Sequence, residues 1–142
     1  MTRIVLDTNV LASGFSSDAS TARTLLDRWQ DEEYELVVSE HLLAELAGTF
    51  EDAYYRVRVS SQQAERVFTL LRADALMAAL STPVVGVATH AEDDDVLATA
   101  LNGEAAILCT RDKQLLRLRT YENIAILRPG ELLALLETGS LT

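Results

Sequence analysis

The chain has 142 residues, 49% of them hydrophobic and 24% charged, which fits one folded domain with a real core rather than a disordered or fibrous chain. Its net charge of −10 argues against a broad basic grip on nucleic acid and suits a protein that holds divalent cations or meets a basic partner. No run of about eighteen apolar residues is present, so a membrane span is not expected; the first strand begins after two residues, which leaves no room for a signal peptide, and the single cysteine, Cys109, fits a reducing cytoplasm.

Short apolar runs and amphipathic segments alternate along the chain. Strands are predicted at 3–6, 35–38, 83–87, 105–109 and 124–127, and helices at 19–30, 40–53, 61–80, 94–102, 113–117 and 131–137. Strands separated by helices imply βαβ units and a central parallel sheet of about five strands covered on both faces. Ser39 reads as an N-cap, Asn102-Gly103 as a helix end, and Pro129 stands just ahead of the last helix. The segment 54–62 is the most polar connection and reads as a mobile one. Cys109 reads as a small buried hydrophobe, and Trp29 and Tyr34 as packing residues. His41 and His90 have no metal-ligand spacing and read as surface or partly buried. No Gly-rich phosphate loop and no Gly-x-Ser-x-Gly elbow occurs.

The chemistry lies in the acids. Asp7 ends the run Arg3-Ile4-Val5-Leu6, where open α/β sheets bind ligands, and Asn9 stands beside it. Glu45 lies in the second long helix. Asp93 opens the helix 93–101, and Asp112 follows the fourth strand. All four are expected on one rim of the sheet, where they repel one another unless a cation intervenes. An all-oxygen set of this kind suits Mg²⁺ or Mn²⁺. In the triple Asp93-Asp94-Asp95, helical phase puts Asp93 on the line of Val96, Leu97, Ala100 and Leu101, Asp94 a quarter turn away and Asp95 opposite, in solvent. Glu40 and Glu45 flank their apolar stripe equally, so periodicity does not choose between them. Each acid also has an ordinary reading, as a turn residue (Asp7, Asn9) or a helix cap (Asp93, Asp112).

Four stretches taken in order resemble the PIN-domain family of nucleases over nearly the whole chain. Ile4-Val5-Leu6-Asp7-Thr8-Asn9-Val10-Leu11 is similar to its first strand and Asp-x-Asn motif. Ser39-Glu40-His41-Leu42-Leu43-Ala44-Glu45-Leu46 resembles its second helix with the motif glutamate at Glu45. Asp93-Asp94-Asp95-Val96-Leu97-Ala98-Thr99-Ala100 resembles its third acidic motif, with Asp93 at the acid. Leu108-Cys109-Thr110-Arg111-Asp112-Lys113-Gln114-Leu115-Leu116 resembles the fourth, Thr-x-Asp, with Arg111 where glycine often stands. The group it is most similar to is the small VapC-like toxins of toxin–antitoxin systems.

The resemblance implies a three-layer α/β/α PIN-like fold spanning 1–142 and a cytoplasmic, Mg²⁺- or Mn²⁺-dependent endoribonuclease. It implies metal-binding and catalytic roles for Asp7, Glu45, Asp93 and Asp112, with Asn9 and Thr110 orienting them. Arg111, Lys113 and Arg56 or Arg58 are then candidates for RNA-backbone contacts, and the implied partners are RNA, an antitoxin and a second copy in a homodimer. Two other readings remain. A PIN-like domain without turnover would be an RNA- or antitoxin-binding module. A phosphatase or receiver domain would use Asp7 as nucleophile, but the residue two positions on is Asn9 rather than a second Asp.

Overall fold

The computed structural model describes residues 1–141. The strands are β1 (Arg3–Leu6), β2 (Glu35–Val38), β3 (Leu76–Met77), β4 (Ile107–Cys109), β5 (Thr120–Tyr121) and β6 (Ile124–Leu127). The helices are α1 (Thr8–Ser16), α2 (Thr21–Gln30), α3 (Glu40–Phe50), α4 (Ala53–Arg56), α5 (Ser61–Asp74), α6 (Ala91–Asn102), α7 (Lys113–Leu118) and α8 (Pro129–Glu137). The sheet order is β3-β2-β1-β4-β6-β5. All pairings are parallel except β5 with β6, which is antiparallel. Ile4, Val5 and Leu6 are all 0% exposed. Successive strand residues point to opposite faces, so both faces of β1 are covered by helices and the fold is α/β/α, as expected.

The topology positions the site. β1 has β2 on one side and β4 on the other, so the chain reverses its direction of sheet growth between β1 and β4. Crevices beyond the carboxyl ends of strands at such a point are where open α/β sheets bind ligands. Asp7 follows β1, Ser39 follows β2 and Thr110 follows β4, so all three lie at that edge.

Several expectations need correction. The run 83–87 is no strand. Pro83 cannot donate to a ladder, Gly86 takes a positive φ of 74°, and the N–H groups of Gly86, Val87 and Ala88 all donate to the Asp94 carboxylate. The third strand is Leu76–Met77, inside the predicted helix 61–80, because Ala75 turns extended at ψ 157° and ends α5 at Asp74. The helix α1 was not anticipated, since the first predicted helix begins at residue 19; the structure starts it at once on Asp7, whose Oδ1 accepts the Thr8 N–H at 2.7 Å. The segment 54–62 is not a loose connection. It carries the end of α4, and Ser60 and Gln63 form a reciprocal capping box on α5.

Two helices are fixed locally in ways the sequence foretold. Ser39 caps α3 through the Leu42 N–H, and its hydroxyl also meets Thr99 of α6 at 2.8 Å, pinning the two helices together. Gly103 follows α6; a Cβ there would stand 2.4 Å from Val37 Cγ1, so only glycine lets the helix end close on β2. Cys109 is fully buried, and burial pushes its thiol up to about 12, so it behaves as a packing residue.

Candidate metal centre on the acidic rim

Asp7 is the hub. It is 6% exposed and caps α1. Its Oδ2 accepts the Thr110 hydroxyl at 2.7 Å and the Asn9 side-chain amide at 3.5 Å. Thr110 Oγ1 in turn accepts the Asp112 N–H at 3.0 Å, and Asn9 Oδ1 accepts the Arg111 N–H at 3.3 Å. The loop after β4 is thus tied through Thr110 and Asn9 to the end of β1, and the Asp7 carboxylate has its plane fixed from both sides. Asp112 is the N-cap of α7, accepting from Gln114 and Leu115 N–H through Oδ1. The ordinary capping role therefore holds for one of its oxygens, and Oδ2 makes no hydrogen bond with the described residues.

The remaining acids reach this hub electrostatically. Burial pushes the Asp7 carboxyl up, and the Asp112 charge adds to it. Burial likewise pushes Asp93 up, with Asp112 and then Asp7 adding to it. Burial raises Glu45, with Asp7 and Glu92 adding and the nearby His41 opposing. The Asp7 charge is thus felt by both Asp93 and Glu45, and the Asp112 charge by both Asp7 and Asp93. The Glu40–Glu45 tie is also broken. Glu40 turns outward into a paired contact with Arg72 at 2.7 and 2.9 Å, while Glu45 is half-buried and turns toward Asp7.

The aspartate triple is sorted differently from its helical phase. Asp94, not Asp93, is the buried one, at 6% exposure, and its carboxylate is spent on the three N–H groups of the 86–88 loop. Asp93 is half-buried and left to face Asp7 and Asp112. Asp95, expected in solvent, has Oδ2 3.4 Å from His41 Nδ1. The phase argument failed because α6 is buried from Val96 through Ala100, so it has no exposed face to set the register. Asp93 is not the N-cap either; that position is His90.

His41 is partly buried, as expected, but it neighbours the rim in a way that sequence spacing did not single out. Its Nε2 stands 2.5 Å from Glu45 Oε1, without the alignment of a hydrogen bond, and both atoms are buried with no other partner. The signal was present as His41 and Glu45 four residues apart, on one face of a helix, but a lone histidine has no metal-ligand pattern to draw notice. Among the described residues no three His, Cys, Asp or Glu side chains stand close enough to enclose a cation as they lie. The donor set still fits Mg²⁺ or Mn²⁺, which keep several waters and need only one or two carboxylates. The repulsion of Asp7 by Asp112 and of Asp93 by both is what a cation would relieve.

The basic candidates are placed apart. Arg111 and Lys113 are exposed beside the rim. Arg58 folds back, its guanidinium donating to the Tyr54 carbonyl at 2.6 Å and lying 3.6 Å above the Tyr54 ring. Tyr55 of α4 feels the charges of both Arg111 and Arg58. Arg56 lies instead in a separate cleft with Phe50, Val59 and Ser60.

Comparison with known proteins bears on the fold and the family. No curated protein matches the sequence significantly. The fold is similar to a chain of VapBC2 from Rickettsia felis in a complex with a DNA fragment from its promoter, with a TM-score of 0.59 and 13% identity over 89% of this chain and 98% of that one. It is also similar to a chain of FitAB bound to an IR36 DNA fragment, with a TM-score of 0.56 and 20% identity over 89% and 94% of the two chains. The family profile described as "PIN domain" matches residues 3–114, a span that runs from the first residue of β1 through Asp112 and so includes every acid of the rim; the chain belongs to the PIN-domain family.

Proposed function

We propose that this chain is a Mg²⁺- or Mn²⁺-dependent endoribonuclease that hydrolyses RNA phosphodiester bonds and serves as the toxin of a toxin–antitoxin pair. One observation supports the reading: Asp7, at the end of β1, is buried and shares charge repulsion with Asp112 after β4, Asp93 on α6 and Glu45 on α3. Membership of the PIN-domain family supports nuclease chemistry, and the likeness in fold to chains of VapBC2 and FitAB supports the toxin role.

Asp7 and Asp93 would hold the cation directly, with Glu45 and Asp112 binding it or the attacking water. Bound there, Mg²⁺ or Mn²⁺ supplies positive charge beside the scissile phosphate and lowers the pKa of water. Thr110 and Asn9 fix the Asp7 carboxylate by donating to it, as groups behind a metal ligand do. His41, held near Asp95, keeps Glu45 turned into the rim. Arg111 and Lys113 would contact the RNA backbone, as would Arg58, whose charge Tyr55 feels together with that of Arg111; Arg56, in its separate cleft, has weaker support. Without a cation the rim repels RNA, so metal should govern binding as well as chemistry. An antitoxin with a basic segment would suit the −10 charge and could place an Arg or Lys in the acidic pocket; a homodimer and a cytoplasmic location follow from the VapC-like reading, and no helix among the described residues is long and apolar enough to cross a membrane.

The test is calorimetric titration of Mn²⁺ into wild type and Asp93→Asn, paired with cleavage of a mixed RNA pool. Loss of both in the variant, with at least about tenfold weaker metal binding, is the expected result. Wild-type metal binding and cleavage in Asp93→Asn would remove Asp93 from the site, and metal binding without any cleavage by wild type would favour the binding-module reading.

A further inference from the structure

We infer that a basic cleft formed by α7, β6 and the start of α8 is the track along which a single RNA strand approaches the acidic rim; this rests on the nuclease reading above. The cleft has a volume of about 680 Å³ and is lined by Lys113, Arg117, Arg119 and Arg128, with Glu131 the one acid on its wall. A second hollow of about 370 Å³ shares Lys113 and Arg128 with it and continues to Arg111. Arg111 is where the track meets the site, because its N–H is held by Asn9, which also donates to Asp7.

The charge distribution argues for an anionic occupant. The chain has 12 Lys and Arg residues against 22 Asp and Glu; five of these cations are in ion pairs among the described residues, and of the seven that are not, only Arg56, Arg58 and Arg66 lie outside these hollows. Arg3, Arg23, Arg28 and Arg72 are so paired. Arg111, Lys113, Arg117 and Arg119 are in no ion pair among the described residues, and all four line these two adjoining hollows. Arg128 reaches only Glu131, at 3.7 Å. Unpaired cations gathered in one concavity of an anionic chain concentrate a positive field there. Glu131 is the one negative charge on these walls, so the field in the concavity stays positive. Arginine is suited to phosphate by its planar fork of donors. The strand would lie on phosphate contacts along the cleft and deliver one phosphodiester to the acids beyond Arg111, giving position without sequence.

The experiment uses the full chain with Mn²⁺ and a fluorescein-labelled decauridylate, anisotropy reporting binding and gel electrophoresis reporting cleavage. Removing two phosphate contacts in Arg117→Gln/Arg119→Gln should lower the slope of log K against log[salt] by about 1.4, equivalent to about 25-fold weaker binding at 0.1 M salt. Lys113→Gln/Arg128→Gln should show the same loss and serves if the first pair fails to fold, while Arg66→Gln, on α5, should bind as wild type does. A folded Arg117→Gln/Arg119→Gln with wild-type affinity and slope overturns the track. So does displacement of the RNA by decaglutamate at equal concentration, which would mean undirected attraction for anions. Wild type that binds through the cleft but cuts nothing leaves the track standing and sinks the nuclease; wild type that does not bind the oligonucleotide sinks both.

Discussion

Asp7→Asn separates function from stability most sharply. Asn keeps the shape and serves equally well as an N-cap, so the bond from the Thr8 N–H at 2.7 Å survives. What disappears is a charge in a site 6% exposed, where burial and then Asp112 already hold the carboxyl above its usual range. Two bonds at Oδ2 are disturbed: Thr110, which donates at 2.7 Å, must rotate its hydroxyl, and the Asn9 amide, which donates at 3.5 Å, meets another amide. Relief of the charge should outweigh that, as it commonly does when a functional acid is neutralised, giving about 1–2 kcal/mol of added stability in the metal-free chain. With an unfolding entropy of ~2.1 cal/mol/K per residue, a chain of 142 residues gains roughly 3–7 °C in Tm. RNA cleavage should fall by at least about a hundredfold. The assay is thermal unfolding in EDTA beside cleavage in Mn²⁺. A variant that melts lower than wild type, or cuts as fast, refutes the view that Asp7 is held at a cost for the sake of the site.

Other outcomes follow from the same geometry. Asp94→Ala leaves the N–H groups of Gly86, Val87 and Ala88 without their acceptor and should lose about 2–3 kcal/mol, roughly 7–10 °C in Tm, while Mn²⁺ affinity stays within twofold or so; a large loss of metal binding with little loss of stability would put Asp94 in the site. His41→Ala should weaken Mn²⁺ binding about tenfold and lower kcat more than it changes KM, with His41→Gln restoring part of both; unchanged metal affinity and kcat would reduce His41 to packing. The raised carboxyls of Asp7, Glu45 and Asp93 bind protons more tightly folded than unfolded, so in EDTA their contribution to stability is greatest at acid pH and is lost as pH rises from the ordinary carboxylate range through their raised values. Melting from about pH 5 to pH 8 should show this slope in wild type, less of it in Asp7→Asn, and little with Mn²⁺ present; equal slopes in all three would contradict it.

The strands 3–6, 35–38 and 124–127 were legible because an uninterrupted apolar run between turn residues leaves few alternatives to a buried parallel strand. The site was legible in its outline for a related reason: Asp7, Thr110 and Asp112 follow strands whose ends topology forces to one edge. What was hidden depends on tertiary partners. Nothing local tells Glu40 from Glu45 until Arg72 arrives from α5, 32 residues away. The role of Asp94 was hidden because the N–H groups that donate to it lie in a loop that the apolar run Val84-Val85 disguised as a strand. The exposed pair Leu76–Met77 carries no alternation to announce an edge strand and was absorbed into the helix before it.

Both margins of the sheet end in a strand of two residues, β3 on one side and β5 on the other. So short a border offers few free N–H and C=O groups for another chain to extend. The margins are therefore poor templates for a strand of another chain, and the crevice between β1 and β4, in the middle of the sheet, lies away from both of them.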